Sequence, residues 1–307
     1  MVAALLGNTG VAASKLVAFF FTGSAAMLAE FYHSVADTVN QVFLLLGLRL
    51  QKRKPDERHP FGYTRESYFW AFVVAVSIFG LGAVLSIIEG ASKIAHPHEI
   101  RNPAVTYLAL GVAFVFETYA LRVAWKEFQH WRVRNPGPLL TALLTAKAPT
   151  ILVVIFEDSA ALAGILVAAG GITLTLVTGN GVYDAVASLV IGGILVMAAG
   201  FIGMRARGLL LGEAATKADR ARIREAVEGV SQVDSLVELL TMHLGPEDIL
   251  INLGIDFVDD LTTNDVEAAI DEIERRIREA VPAAGRIFIE AESLTGRKER
   301  PASDDES

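Results

Sequence analysis

The chain has 307 residues, of which 52% are hydrophobic, and its mean hydropathy of +0.44 is above that of an ordinary soluble domain. Its net charge of −8 comes without a basic stripe interleaved with aromatic residues, so no feature is typical of a nucleic-acid-binding protein. It contains no cysteine, which excludes disulfides, thiolate zinc clusters and thiol redox chemistry.

Apolar segments of about 20 residues recur through the first two thirds of the chain, and each is long enough to cross a bilayer. Lipid offers no partners to backbone polar groups, and no alternating ten-residue pattern indicates a barrel, so we predict an α-helical membrane protein. The six predicted spans cover residues at about 2–22, 25–48, 66–94, 104–128, 149–177 and 181–204.

The charges of the loops predict the topology. The loop QKRKPDERHPFGYTR after the second span and the segment from Lys126 to Lys147 are rich in Lys and Arg, whereas the loops after the first and fifth spans carry none. The positive-inside rule therefore predicts that both termini are cytoplasmic. The start of the chain resembles neither a cleaved signal nor a mitochondrial presequence, so we expect a multi-pass protein of a prokaryotic inner (plasma) membrane.

After the predicted membrane domain, 1–212, the sequence takes on the character of a soluble domain. The periodicity predicts the element order αββαβ, which is that of a small ferredoxin-like α+β domain at 213–293. We expect Asn264 or Thr263 to cap its second helix. Two further predictions are an interfacial helix at 138–148 and a disordered acidic tail at 294–307.

Two of the spans contain ionisable residues. Glu30, His33 and Asp37 lie in the second span, and Glu157 and Asp158 lie in the fifth. A charge at membrane depth costs at least about 2.5–3.5 kcal/mol, so it usually marks a polar pathway or a paired site. The first three residues are three and four positions apart and therefore share one helix face. An imidazole and carboxylates facing carboxylates from another helix are suitable ligands for a divalent transition metal.

Other interpretations of these residues remain open. His33 and Asp37 could be a polar pair that holds helices together, and Asn40 could form a hydrogen bond between helices. Glu157 could face a hydrophilic cavity or pair with Lys15. Glu30 could be a gate or a proton acceptor at the metal pathway, or simply a polar residue near the boundary of the membrane.

Several motifs, in order along nearly the whole chain, resemble the cation diffusion facilitator family. They are a His-x-x-x-Asp pair in the second span, the loop HPFGYTRESYFW, and a short αββαβ domain after six spans. The segments SAAMLAEFYHSVADTVNQ, PDERHPFGY, FEDSAALAG and GPEDILINLGIDF resemble the branch of the family that contains the mitochondrial zinc exporter.

The resemblance implies a central metal site with two ligands from the second span and two from the fifth. His33 and Asp37 match the first pair, and Asp158 matches one position of the second. Val154 stands where many zinc transporters of the family have His, and Glu157 is the candidate replacement.

A second family site, in the loop after the second span, would retain Asp56 and His59. Tyr63 stands where a third ligand, His, would be expected, so at most weak binding is expected there. In the cytoplasmic domain, a structural metal site is not expected.

The resemblance also implies the function: efflux of a divalent transition metal, Zn(II) or a related ion among Mn, Fe, Co and Cd, in exchange for protons. His33 is the natural exchanging group, because imidazole has an ordinary pKa of about 6.5. The family forms homodimers through its cytoplasmic domain. Metal and protons are then substrates, no cofactor is expected, and the protein is not an enzyme. Alternatives are a membrane metal sensor that binds without transport, or an intramembrane metalloenzyme, although the chain has no His-Glu-x-x-His motif.

Overall fold

The computed structural model of the protein describes residues 2–95, 102–134 and 149–292. The segments predicted to be an interfacial helix, 138–148, and a disordered tail, 294–307, lie outside the described residues. The chain divides into two compact units, Met1–Leu210 and Leu211–Ser307.

Long helices occupy the positions of all six predicted spans in the described part of the first unit. They are α1 (Val2–Thr22), α2 (Ala25–Leu50), α3 (Glu66–Ser77) continuing through a π-helical stretch (Ile78–Val84) into α4 (Leu85–Ala95), α5 (Pro103–Arg134), α6 (Pro149–Thr178) and α7 (Val182–Leu211).

Four described helices are long and apolar enough to cross a membrane: Glu66–Ala95, Pro103–His130, Thr150–Thr178 and Val182–Leu211. Thr9–Thr22 of α1 is a shorter apolar helix. α2 is outside this set although it has 26 residues, and it is the helix that carries Glu30, His33 and Asp37. The helical membrane domain is therefore confirmed, whereas the full count of six membrane crossings stays a prediction.

Small residues allow the helices of this unit to pack closely, as is common in membrane proteins. A Cβ on Gly171 of α6 would collide with Ala187 of α7, and a Cβ on Gly192 of α7 would collide with Ile87 of α4. The neighbouring Gly170 has open space around the position of a Cβ. One glycine of a consecutive pair can thus lie at a helix contact while its neighbour does not.

The second unit contains the predicted αββαβ order, which is confirmed. Its elements are α8 (Lys217–Glu228), β1 (Val233–Gly245), β2 (Asp248–Phe257), α9 (Thr263–Ala280) and β3 (Ala284–Ala291). In the sheet, β1 pairs antiparallel with the central strand β2, and β2 pairs parallel with β3 through the α9 crossover.

The predicted cap of α9 was wrong by one or two residues. The N-cap is Thr262, whose hydroxyl accepts a hydrogen bond from the backbone N–H of Asp265. The Asp265 carboxylate accepts one in return from the backbone N–H of Thr262 at 2.9 Å. This reciprocal capping box begins the helix before the residues that we expected to cap it.

The two faces of the sheet differ. The buried positions Ile249, Ile251 and Leu253 of β2 form one apolar core with residues of α8 and α9. On the alternate positions, Leu240 of β1, Asn252 of β2 and Phe288 of β3 are paired across the sheet and therefore share its other face. Leu240 and Phe288 remain 53% and 47% exposed, so this second face is partly apolar.

Candidate metal-transport site

The predicted face of α2 is buried inside the membrane unit. The helix begins at the cap residue Ser24, whose hydroxyl accepts a hydrogen bond from the backbone N–H of Met27. Three and four residues separate Glu30, His33 and Asp37, so all three lie on one side of the helix, and each is at most 4% exposed. The ring Nδ1 of His33 is 3.4 Å from Oδ1 of Asp37.

The polar atoms of this pair are not satisfied by ordinary hydrogen bonds. Both ring nitrogens of His33 and Oδ1 of Asp37 are buried without a hydrogen-bond partner among the described residues. Most buried polar atoms in proteins are paired, so an imidazole without such a bond beside a carboxylate needs an explanation. Nitrogen and oxygen atoms in this arrangement can bind a cation or a proton.

Glu157 is the residue of α6 that reaches α2. Asn40 of α2 donates a hydrogen bond from Nδ2 to Oε1 of Glu157 at 2.8 Å, which confirms the predicted interhelical role of Asn40. The carboxyl groups of Glu157 and Asp37 also lie close enough to interact with each other. Two carboxyl groups can share a hydrogen bond only when one of them carries a proton. The α2–α6 contact can therefore hold a proton as well as negative charge.

Asp158 has a different environment. It is half-buried, and its Oδ2 is enclosed without a hydrogen-bond partner among the described residues. Consecutive residues of a helix point about 100° apart, so Glu157 and Asp158 cannot face α2 equally. Val154, one turn earlier, packs with the apolar core.

The four side chains do not yet surround one point. Within the described ranges, no group of three or more His, Asp or Glu side chains is close enough to hold a metal ion. A shared ligand set from α2 and α6 would therefore require side-chain rotation or a small movement of one helix against the other.

Glu30 takes part in a buried ion pair. The Lys15 Nζ on α1 is 2.8 Å from Oε2 of Glu30 and donates a second hydrogen bond of 2.8 Å to Oγ of Ser34. Lys15 and Glu30 are both fully buried. The alternative in which Lys15 pairs with Glu157 was therefore wrong, because Glu30 and Ser34 of α2 bind the ammonium.

Glu117 of α5 is a further buried carboxylate, and the sequence alone left its role open. It is 5% exposed, and it is close enough to Lys15, Glu30 and Asp37 to interact with them electrostatically. Its signal in the sequence is a lone carboxylate in an otherwise apolar span, which alone does not indicate what it faces.

The predicted weak site in the loop after α2 has a compact hydrogen-bonded geometry. Asp56 accepts hydrogen bonds from the backbone N–H groups of Arg58 and His59 at 3.0 and 2.8 Å, and from the Tyr63 hydroxyl at 2.6 Å. The Tyr63 hydroxyl, followed by the backbone N–H of His59, lowers the pKa of Asp56. His59 Nδ1 is 3.6 Å from Asp56 Oδ1, and both side chains are about half exposed. These bonds organise a turn, and binding of a metal there stays a prediction.

Comparison with known proteins gives two family matches. A model of the cation efflux transmembrane domain matches residues 1–211, and ZT_dimer, a model of the cytoplasmic domain of cation efflux proteins, matches residues 215–294. The two matches together cover nearly the whole chain.

Several known proteins are similar to this chain along most of its length. Metal tolerance protein C4 of Arabidopsis thaliana is 32% identical over 254 residues, which are 83% of this chain and 56% of that protein. The mitochondrial proton-coupled zinc antiporter SLC30A9 of Xenopus laevis is 30% identical over 267 residues, 85% of this chain and 48% of that protein. The chain thus spans about half the length of these two relatives. The cation-efflux pump FieF of Serratia proteamaculans is 24% identical over 270 residues, 88% of this chain and 84% of that protein.

Proposed function

Since the chain belongs to the cation diffusion facilitator family, we propose that it exports a divalent transition-metal ion from the cytoplasm in exchange for protons. The observation that carries the proposal is the buried His33 imidazole, whose two ring nitrogens have no hydrogen-bond partner among the described residues. It lies beside Asp37, which in turn contacts Glu157 of α6.

The proposed ligands are His33 and Asp37 from α2 and Glu157 and Asp158 from α6. Glu157 is placed before Asp158 in this set because its carboxyl group contacts both Asn40 and Asp37 of α2. Asp158 would join when the metal draws the two helices together. Such a set has one nitrogen and otherwise oxygen ligands, so it is less selective for zinc than a site with two histidines.

Exchange with protons follows from the same atoms. A metal binds to neutral imidazole and ionised carboxylates, so metal and protons compete for the same atoms of His33, Asp37 and Glu157. Facing a cytoplasm of higher pH, the site loses protons and takes up metal. Facing the more acidic side, it takes up protons and releases metal. One site that alternates between the two sides then couples the two flows.

Zinc is the proposed substrate, and manganese, iron, cobalt and cadmium are the competitors to test against it. The support for zinc is the similarity to a protein named as a proton-coupled zinc antiporter. We place the basic loops and both termini in the cytoplasm, by the positive-inside rule. The proposed location is the plasma membrane of a prokaryote.

The members of the family are transporters and not enzymes, so the metalloenzyme alternative is set aside. A metal sensor that binds without transport would use the same ligands. Metal flux across a sealed membrane, in addition to binding, distinguishes these two functions.

The test is flux in proteoliposomes that contain the full chain and a metal-sensitive dye. We expect zinc uptake that depends on the pH gradient and slows when the metal-loading side is acidified. His33→Ala and Asp37→Asn should each reduce it at least about tenfold, because each removes a ligand. The matched control is Thr38→Ala on the same helix, because the hydrogen bond that the Thr38 hydroxyl donates goes to the carbonyl of Ser34 in its own helix.

Binding without flux in the unsubstituted protein would favour the sensor. Uptake that is independent of the pH gradient and unchanged in His33→Ala and Asp37→Asn would contradict the proposed site and the proposed exchange together. Competition among the five metals in the same vesicles then orders the substrates.

A further inference from the structure

The buried Lys15–Glu30 pair is not required by the proposed metal site. An ammonium in the interior of an apolar helix is costly, so its retention at full burial indicates a function or a strong structural need. Lys15 forms hydrogen bonds to two groups of α2, the Glu30 carboxylate and the Ser34 hydroxyl, each at 2.8 Å. These bonds hold the positive charge close enough to His33 and Asp37 to interact with both electrostatically.

Carboxylates outnumber cations in this interior. The described acids that interact electrostatically with Lys15 or with one another here are Glu30, Asp37, Glu117, Glu157 and Asp158, and Lys15 is the one ammonium in this set. A divalent metal compensates two negative charges, and protons must compensate others when the metal is absent. A permanent cation reduces the number of protons that the empty site needs.

The Lys15–Glu30 pair is surrounded by both titratable and uncharged groups. The titratable groups that interact with the Lys15 ammonium are Glu30, His33 and Asp37 on α2 and Glu117 on α5. Glu30 also faces Gly164 of α6. A Cβ added to Gly164 would collide with Oε1 of Glu30. Gly164 brings no charge, so Glu30 lies between the ammonium and an uncharged backbone, and Glu117 of α5 is the further acid that interacts with both members of the pair.

We propose that Lys15 is a built-in counter-cation of the transport pathway, and that its ion pair with Glu30 persists through the transport cycle. This inference rests on the proposed function and assigns a role to a residue outside the ligand set. A buried carboxylate without a counter-charge takes up a proton, whereas one hydrogen-bonded to an ammonium can remain charged. The protons that exchange for metal are then carried by the other groups of the site.

The first measurement is a rescue experiment on zinc flux in proteoliposomes. Lys15→Met leaves Glu30 buried without its partner, and we expect flux to fall at least about tenfold. Adding Glu30→Gln removes the unpaired carboxyl group, and the double variant should return to within about threefold of the unsubstituted protein. Lys15→Arg keeps the positive charge and serves as the control, with flux expected to be largely retained. A double variant as impaired as Lys15→Met alone would overturn the counter-cation role.

The second measurement is the number of protons exchanged per zinc ion, obtained from the pH gradient that stops net zinc flux at clamped voltage. It is made on the unsubstituted protein and on Lys15→Met/Glu30→Gln, which tests the inference even if Lys15→Met alone does not fold. We expect the same ratio in both. A ratio lower by about one proton in the double variant would show that Glu30 carries an exchanged proton, and would overturn the proposal. Absence of proton-coupled flux in the unsubstituted protein would instead contradict the proposed function.

Discussion

At the scale of single residues, the adjacent carboxylates Glu157 and Asp158 are chemically similar but differ in their contacts with α2. The resemblance to known transporters pointed first to Asp158, and Glu157 was a candidate replacement for the ligand missing at Val154. In the folded chain Glu157 receives the hydrogen bond from Asn40 and contacts Asp37. The side chain of Asp158 leaves α6 in a direction about 100° from that of Glu157, because consecutive residues of an α-helix are rotated by that angle.

We therefore expect Glu157→Gln to weaken metal binding more than Asp158→Asn. The loss for Glu157→Gln should be at least about tenfold, because even groups that only support a metal ligand contribute that much. Titration of the purified protein with zinc in detergent measures the affinity of each variant. The two variants are comparable because each replaces a carboxylate with an amide of about equal size. A larger loss in Asp158→Asn would reverse the order of the two residues in the proposed site.

At the scale of helices, packing is decided by the face on which each small residue lies. Gly192 and Gly193 are consecutive in α7 and therefore lie on different faces of that helix. A Cβ on Gly192 would meet the side chain of Ile87 and the backbone carbonyl of Ala83, whereas nothing lies within 4 Å of a Cβ on Gly193. Ala83 belongs to the π-helical stretch, so this contact joins α7 to the one irregular part of the third predicted span.

Gly192→Ala should consequently destabilise the membrane unit by about 1–3 kcal/mol, as overpacking usually does. Gly193→Ala should have little effect. Thermal unfolding of the two variants in the same detergent compares them directly, since the substitutions are chemically identical and one residue apart. Equal unfolding temperatures would mean that α7 and α4 can separate at no cost.

At the scale of the whole molecule, the open face of the cytoplasmic sheet is the proposed surface for a second copy of the chain. The match of residues 215–294 to the ZT_dimer model supports a homodimer. A domain of about 80 residues buries a limited core by itself, so covering the face with Leu240 and Phe288 would add to its stability. Their exposure of 53% and 47% leaves apolar area available for that contact.

The variant Leu240→Glu/Phe288→Glu should weaken dimerisation of the full chain by about tenfold or more, because it places charges in the apolar centre of the proposed interface. Native mass spectrometry across a dilution series measures the shift towards monomer. Ala268→Glu is the control, since Ala268 is exposed on α9, the helix that packs on the opposite side of the sheet. Dissociation by the control alone would place the interface on the helical side.

The sequence by itself determined the membrane class, the family, the αββαβ order and the face shared by Glu30, His33 and Asp37. These depend on composition and on periodicities of a few residues, which are local properties of a chain. Only the tertiary structure decided that Lys15 pairs with Glu30, that Glu157 reaches Asp37, and which glycine of a pair lies at a contact. Each of these depends on which faces of separate helices meet, and that is set by packing between segments far apart along the chain.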